Sequence, residues 1–393
     1  MCRTVLAVEQ AGVIAGAGVS LEALVTSSVL AGAFKYVVFL GADGPLVERL
    51  RAKGADVAIV PTQGWRWWVD RAAKSMSFRD LAKFVATLPW QAWSVVRWIS
   101  RMLSVRPAIV HLNDSALFEP VIAAWCLRVP LVIHFRSIPS RSAARFLLGR
   151  SSFYWLMNRA DRWIANSEGT ARDIAPHARV PVLVVTNGID LDEFDRRAAI
   201  ATAPAKPRTY RVAMLGLITR WKRFDLFLEL AERVTRERQD VSFAIAGAGD
   251  PGVVTSLRAA CRAKGIDEAV EWLGHVDNIP ALLGGVDVLV HTAAHEGFGR
   301  VFIEAMAARK PVVTFEEGGA AEVVLDGITG ILVPPDDLSA MGRALMELLD
   351  APMRRQSMGF AGRARVESEF SADAHARNVS KIYHDVALQS SLL

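Results

Sequence analysis

Cysteine is almost absent from this chain: there are three in 393 residues, at Cys2, Cys126 and Cys261. They are scattered and odd in number, and their spacing suits neither a zinc site nor a disulfide framework, so a reducing compartment is expected. Long apolar runs are missing too. The uncharged stretch Phe84–Val96 has only 13 residues and contains Pro89, whereas a bilayer-spanning helix needs about 20 apolar residues. Glu9 and Glu22 interrupt the early apolar residues, so no secretory leader is expected. The expected location is the cytoplasm, with the inner membrane face open as a place of peripheral attachment. With 28 glycines and 17 prolines, usage is near average, which excludes collagen-like and low-complexity classes. Charged residues are few at 22%, against 52% hydrophobic, so global disorder is excluded and a large core is available.

The length suggests two to three domains at roughly 150 residues each. Formal net charge is +5, but it is uneven. Residues 1–200 hold 24 Lys/Arg and 16 Asp/Glu, leaving 22 and 25 for the remainder. A basic first half suits nucleic acid, an anionic membrane or a phosphorylated ligand. Short β-branched runs alternate with helix-period segments along the whole chain, which implies parallel sheets covered by helices. Strands are expected at Thr4–Val8, Tyr36–Leu40, Val57–Val60, Ile109–Leu112, Leu131–Phe135, Trp163–Ala165 and Val182–Val185. A second set is expected at Val212–Leu215, Phe243–Ala246, Val270–Trp272, Val288–His291, Val312–Phe315 and Gly330–Val333. Between the sets lies Asp195–Tyr210, DRRAAIATAPAKPRTY, polar and rich in Ala and Pro, which reads as a linker. Ligands of open parallel sheets sit at the carboxyl ends of the strands, so a cleft between two such domains is the expected site.

The segment His291–Pro311, HTAAHEGFGRVFIEAMAARKP, is the most informative. An apolar strand ends at His291, Gly297-Phe298-Gly299 follows, and an Ala-rich helix begins. Unpaired amides at a helix start form a natural anion site, and glycines let a ligand approach the backbone. Glu296 precedes the helix and Glu304 lies eight residues on, about 12 Å further along a fully helical rise. Each carboxylate can accept two hydrogen bonds from a vicinal diol. Read without further context, an isolated pair of this kind is more often a dipole partner and a solvated helix residue.

The string EGFGRVFIEAMAARKPVV resembles the E-x(7)-E signature of retaining glycosyltransferases of the GT-B fold, group 1 or family 4. In the same order, VTNGIDLDEF (Val185–Phe194) is similar to the family's P-N-G-V-D segment and VAMLGLITRWKRF (Val212–Phe224) to its G-R-L-x-x-x-K-G segment. FAIAGAGD, WLGHV and GGAAEVVLDGITGILV match later family positions; the first half matches more loosely, through VIHF and IANSEGT.

The resemblance implies an α/β GT-B fold: two facing Rossmann-like parallel-sheet domains with an interdomain cleft. Residues 1–200 would form the acceptor-side domain, joined by a C-terminal helix at 371–390, and 207–370 the donor-binding domain. It also implies site roles. Glu296 would contact donor sugar hydroxyls, and the amides of Gly297, Phe298 and Gly299 the sugar and diphosphate. Glu304 would hold the ribose diol. Lys222, with Arg220 nearby and Gly216 at the turn, would neutralise the diphosphate. His134 would lie near the donor sugar, Gly16 and Gly18 would form a glycine-rich turn approaching the donor, and Asn187 and Gly188 would belong to a hinge-side turn. The family usually carries Arg where this chain has Leu217, which leaves Arg220 or Arg223 to replace a diphosphate contact. The implied reaction is retaining transfer of a hexose-type sugar from a UDP- or GDP-sugar to a glycan or lipid-linked acceptor, in surface polysaccharide or glycolipid synthesis. An epimerase on the same plan and a silent nucleotide-sugar-binding subunit are the alternatives. No cofactor or metal is expected, since Lys, Arg and a helix terminus supply the positive charge. Gly247-Ala248-Gly249 and Gly16-Ala17-Gly18 lack the third glycine of a dinucleotide fingerprint. Asp190-Leu191-Asp192 mimics a metal-binding D-x-D but suits a turn or helix cap. No nucleic-acid motif is present.

Six of the eleven tryptophans fall within Trp65–Trp98, and from Arg66 to Arg106 there are eight Lys/Arg and two Asp/Glu. Apolar positions Leu81, Phe84, Val85, Leu88, Trp93, Val96, Ile99 and Leu103 follow helical spacing. Either this stripe packs on the first sheet, or it forms a face for an anionic membrane surface.

Overall fold

The strand-period runs fold as thirteen strands in a computed structural model of the chain. It describes all residues except Met1, Val13, Ala15, Ala31, 63–77, Ala116, Ile138, 140–149, 201–209, His295 and 391–393, with backbone alone described at 78–85 and Ser390. The first seven strands are β1 (Arg3–Glu9), β2 (Phe34–Leu40), β3 (Asp56–Ile59), β4 (Ile109–Leu112), β5 (Leu131–Phe135), β6 (Arg162–Ala165) and β7 (Val182–Val184). The rest are β8 (Tyr210–Leu215), β9 (Val241–Ala246), β10 (Val270–Gly274), β11 (Val288–His291), β12 (Val312–Phe315) and β13 (Gly330–Val333). Every expected strand is present, most with ends shifted by one or two residues. These strands are apolar on both faces because both faces are covered by helices.

The chain divides into two units, Met1–Gly188 with Ala372–Leu393, and Ile189–Ser371. The first holds a seven-stranded sheet of order β3-β2-β1-β4-β5-β6-β7, and the second a six-stranded sheet of order β10-β9-β8-β11-β12-β13. All pairings are parallel, for example Val5 with Tyr36 and Ile109, and Val212 with Phe243 and Val288. In each sheet the order reverses beside its first strand, so β1/β4 and β8/β11 are the switch points where loops diverge and ligands fit.

In the first unit, helices α1 (Gly16–Val25), α2 (Pro45–Ala52) and the C-terminal helix Ala372–Ser390 cover one sheet face. The other face carries α3 (Phe78–Val105), α4 (Glu119–Leu127) and α5 (Arg150–Met157), with Trp98, Val121 and Phe153 in its core. The helix α6 (Glu168–Ile174) is capped by Ser167, whose hydroxyl accepts from the Thr170 amide. In the second unit, α8 (Phe224–Glu237), α9 (Pro251–Ala263) and α13 (Leu338–Asp350) cover one face. The other is covered by α7 (Leu191–Ala198), α10 (Ile279–Gly284), α11 (Arg300–Ala307), α12 (Ala320–Val323) and α14 (Pro352–Glu369). The C-terminal helix is α15.

The sequence placed the end of the first unit at residue 200. In the structure α7 belongs to the second unit, because Phe194 is buried in its core and Asp195 receives two bonds of 2.7 Å from Arg363. Asp195–Ala198 of the expected linker is therefore helical, Tyr210 begins β8, and 201–209 lies outside the described residues. Asp190 caps α7 by accepting from the Glu193 amide at 2.9 Å, which accounts for one acid of the D-x-D string.

Candidate active site

The second unit's site is built where β8 and β11 end. After β8 the chain turns at Gly216, whose φ of 138° favours glycine, and passes through Ile218 to a short 3-10 helix, Arg220–Lys222. The path of this loop is fixed by Gly247 and Gly249. A Cβ on Gly247 would stand 1.8 Å from the Gly216 carbonyl oxygen, and one on Gly249 2.3 Å from that of Ile218. The Gly-Ala-Gly turn therefore permits one backbone to lie on another; it needs no ligand to explain it.

Lys222 is folded inward and is 8% exposed, with its ammonium 4.4 Å from the Trp221 ring centre. It forms an ion pair with Glu296. The same Glu296 oxygen lies 3.1 Å from His291 Nε2 at the end of β11. Burial works against the Glu296 charge, but the His291 hydrogen bond and the Lys222 charge outweigh it and hold the carboxyl at about 2. Burial and Lys222 push the His291 ring down, so it is neutral near pH 7 and donates from Nε2. Its ring stands edge-on to Phe302, at 5.2 Å.

Thr292, fully buried, donates its hydroxyl to the Arg223 carbonyl at 2.8 Å and lies 3.3 Å from that of Lys222. It ties the end of β11 to the turn that carries the lysine. Arg223 itself adopts a left-handed φ of 56°, pairs with Asp336 and lies over Phe315. It is thus engaged away from Lys222. Arg220 is exposed, and Leu217 beside it is 58% exposed.

The Glu296 loop rests on Gly318 and Gly319. The Gly319 amide donates to the Glu296 carbonyl at 2.7 Å, and a Cβ on Gly319 would stand 2.5 Å from the Gly297 carbonyl oxygen. Gly299 caps α11 with φ of 81°, and a Cβ there would overlap the Phe302 ring at 2.1 Å. Only from Arg300 on is the segment helical, so the fully helical spacing expected between Glu296 and Glu304 does not apply. Glu304, one turn into α11, receives Arg300 Nε at 3.0 Å; burial raises its carboxyl against the pull of Arg300. Phe298 is buried, whereas Gly297 is partly open.

In the first unit, polar side chains gather at the carboxyl ends of β1, β4, β5 and β7. Asn113 donates to Ala17 at 3.0 Å and to Glu9, while its amide oxygen accepts from Arg136 Nη2 at 2.8 Å. Arg136 also donates to Asn187, so the residue expected at a hinge-side turn is anchored here, with Gly188 next in the chain. Burial raises the Glu9 carboxyl; burial and Glu9 together push that of Asp114 up to about 6. His134, expected beside the sugar, is wholly enclosed within the sheet, between His111 and His375 with ring centres 5.6 and 5.9 Å away. Burial keeps it neutral. The side chain that emerges past the end of β5 is Arg136. Gly16 and Gly18, expected in a loop, form the first turn of α1, and the space beside Gly16 is open. Sequence reading missed Glu9, Asn113, Asp114, Arg136 and Thr292. Each ends a buried strand or lies within two residues of its end, and a polar residue in that position is the signal that marks them.

Two parallel sheets of this order, with an acid–lysine–histidine site at the ends of the second, define a GT-B glycosyltransferase. Anabaena HepE in complex with UDP-glucose has the same fold, at a TM-score of 0.80 and 22% identity over 98% of this chain and 100% of its own. Residues 195–365 match the family described as glycosyl transferases group 1, and 45–193 match glycosyltransferase family 4. The chain belongs to the group 1 glycosyltransferases. It is 28% identical over 356 residues to the lipopolysaccharide core biosynthesis mannosyltransferase LpsB of Rhizobium meliloti, covering 87% of this chain and 92% of that one. It is also 28% identical over 294 residues to the glycogen synthase of Mycobacterium tuberculosis, covering 71% and 69%.

Proposed function

We propose that this glycosyltransferase moves a hexose-type sugar from a UDP- or GDP-sugar to a hydroxyl of a glycan or lipid-linked acceptor, with retention, in surface polysaccharide or glycolipid synthesis. The observation that carries this reading is the inward-turned Lys222 paired with Glu296 beside the start of α11. The bond from the anomeric carbon to the β-phosphate oxygen breaks with both electrons leaving on the nucleoside diphosphate. Lys222, the first amides of α11 and Arg220 neutralise that charge as it grows. With these cations in place the reaction takes no metal. Arg220 fills the part left by Leu217, because Arg223 is committed to Asp336. Glu296 binds sugar hydroxyls with a carboxylate kept ionised throughout the physiological range, and Gly297, Phe298 and Gly299 line its approach. Glu304 takes the ribose diol, exchanging its bond with Arg300 for two hydroxyls. The acceptor oxygen bonds to the anomeric carbon on the face the phosphate leaves, and its proton passes to the departing phosphate oxygen. In the first unit, the open space beside Gly16 and the polar cluster around Arg136 suit a hydroxyl-bearing ligand such as the acceptor, while His134 lies buried between His111 and His375. LpsB, named for lipopolysaccharide core biosynthesis, supports a lipid-linked glycan as acceptor; among the described residues no helix is long and apolar enough to cross a membrane.

The test is a thermal-shift panel of UDP, GDP and their hexoses, followed by product analysis. A donor present at 100 times its dissociation constant stabilises by about 2.7 kcal/mol. Lys222→Met lowers transfer by about 10²–10³-fold. Full activity of that variant contradicts the assignment, and epimerised sugar released from donor alone points instead to an epimerase.

A further inference from the structure

Helix α3 has two apolar stripes where packing requires one. Ser94, Trp98 and Met102 face inward, and Trp98 meets Phe39 with ring centres 5.7 Å apart. On the opposite side Pro89, Trp93, Val96 and Leu103 recur at helical spacing, and Trp93 is 59% exposed. Trp90, also exposed, has the Arg97 guanidinium over its ring at 5.8 Å.

The neighbouring helices on the same sheet face continue this pattern. Trp125 of α4 and Trp155 of α5 are exposed and meet edge to face, with ring centres 6.4 Å apart. Arg159 serves both, at 4.9 and 4.1 Å. Arg101, Arg106 and Arg128 stand exposed on the same helices or just beyond their ends. Over the described side chains of α3, α4 and α5 the one acid is Glu119, and it is fully buried.

From this juxtaposition we propose that the outer face of α3, α4 and α5 docks onto an anionic phospholipid bilayer. The charge decides the occupant: five arginines lie on or just beyond the helices that carry four exposed tryptophans, and among the described side chains of these helices the one carboxylate, Glu119, is buried. Tryptophan favours the headgroup zone, where an apolar ring and a polar N–H are both satisfied. Arginine there keeps its guanidinium among phosphates while its stem lies along apolar surface. The helix lies on the membrane and does not span it. Trp65, Trp67 and Trp68 fall outside the described residues.

The test is co-sedimentation of the full chain with phosphatidylcholine vesicles, with and without phosphatidylglycerol, alongside intrinsic fluorescence and light scattering. This readout is independent of catalysis, so it can fail while the transferase reading stands. Binding is expected on phosphatidylglycerol vesicles alone, weakening as salt rises. Arg101→Glu with Arg128→Glu lowers affinity at least about 25-fold, from about fivefold for each cation lost. Trp90→Ala with Trp93→Ala removes the blue shift and the quenching by brominated lipid, with an unchanged melting temperature. Equal binding to both vesicle types, no binding at low salt, or unaltered binding by these variants overturns the proposal. So does self-association through this face without vesicle binding.

Discussion

The pair Lys222–Glu296 is open to a double-mutant cycle, with Lys222→Met and Glu296→Gln made singly and together. The two side chains are only 10% and 14% exposed, so each single change strands a poorly solvated charge. Breaking a buried pair costs about 3–5 kcal/mol, and the residual exposure puts this one at the lower end, about 2–3 kcal/mol. The Glu296 shift gives the same scale: from an ordinary 4.5 down to about 2 is worth about 3 kcal/mol. The sign follows from the depressed value. That stability is present above pH 4.5, where the unfolded carboxyl is ionised, and is lost as pH falls through 4.5 towards 2. The double variant leaves no stranded charge and recovers most of the loss. Hydrogen exchange of the β8 and β11 amides reads the second unit without interference from the first. A coupling of about 2 kcal/mol at pH 7 that shrinks by pH 3 is expected. Additive single effects, or a coupling indifferent to pH, would refute the buried-pair reasoning.

Three further outcomes can be checked. Thr292→Val removes the hydroxyl that holds the Arg223 carbonyl; it costs about 1 kcal/mol of stability and lowers kcat more than it raises KM, and equal effects on both would argue against a positioning role. Asp114→Asn stabilises the chain by up to about 3 kcal/mol at pH 8, because the folded carboxyl titrates at about 6 while the unfolded one is mostly ionised above 3.8; well below pH 3.8 both forms are protonated and the variant becomes neutral in urea titrations. Gly319→Ala forces a methyl against the Gly297 carbonyl, displaces the Glu296 loop and lowers donor affinity in calorimetry, whereas Gly284→Ala, with open space beside it, does not.

The strands were legible because they are buried on both faces and therefore read as uninterrupted apolar runs, Ile109–Leu112 and Val312–Phe315 among them. The site segment was legible for a similar reason: His291 ends such a run, and Gly299 takes a backbone angle that glycine favours. The partnerships were not legible. Thr292 bonds to a carbonyl 69 residues earlier, and Asn113 to Glu9 across 104. Neither contact leaves a periodic trace, since it depends on which strands become neighbours. The boundary between units was misplaced because α7 is strongly polar along most of its surface, and its single buried anchor, Phe194, carries little signal beside the Ala/Pro-rich run that follows.

The helix α15 has a consequence for synthesis. His375 meets the Thr186 carbonyl across 189 residues, and Tyr383 reaches His111 across 272. The first sheet is translated early, yet the helix that shields Val132 and Ile164 emerges last. On the ribosome that sheet must wait with the part of this apolar face that α1 and α2 do not cover left bare while the whole second unit is made, a window in which a chaperone has a surface to hold.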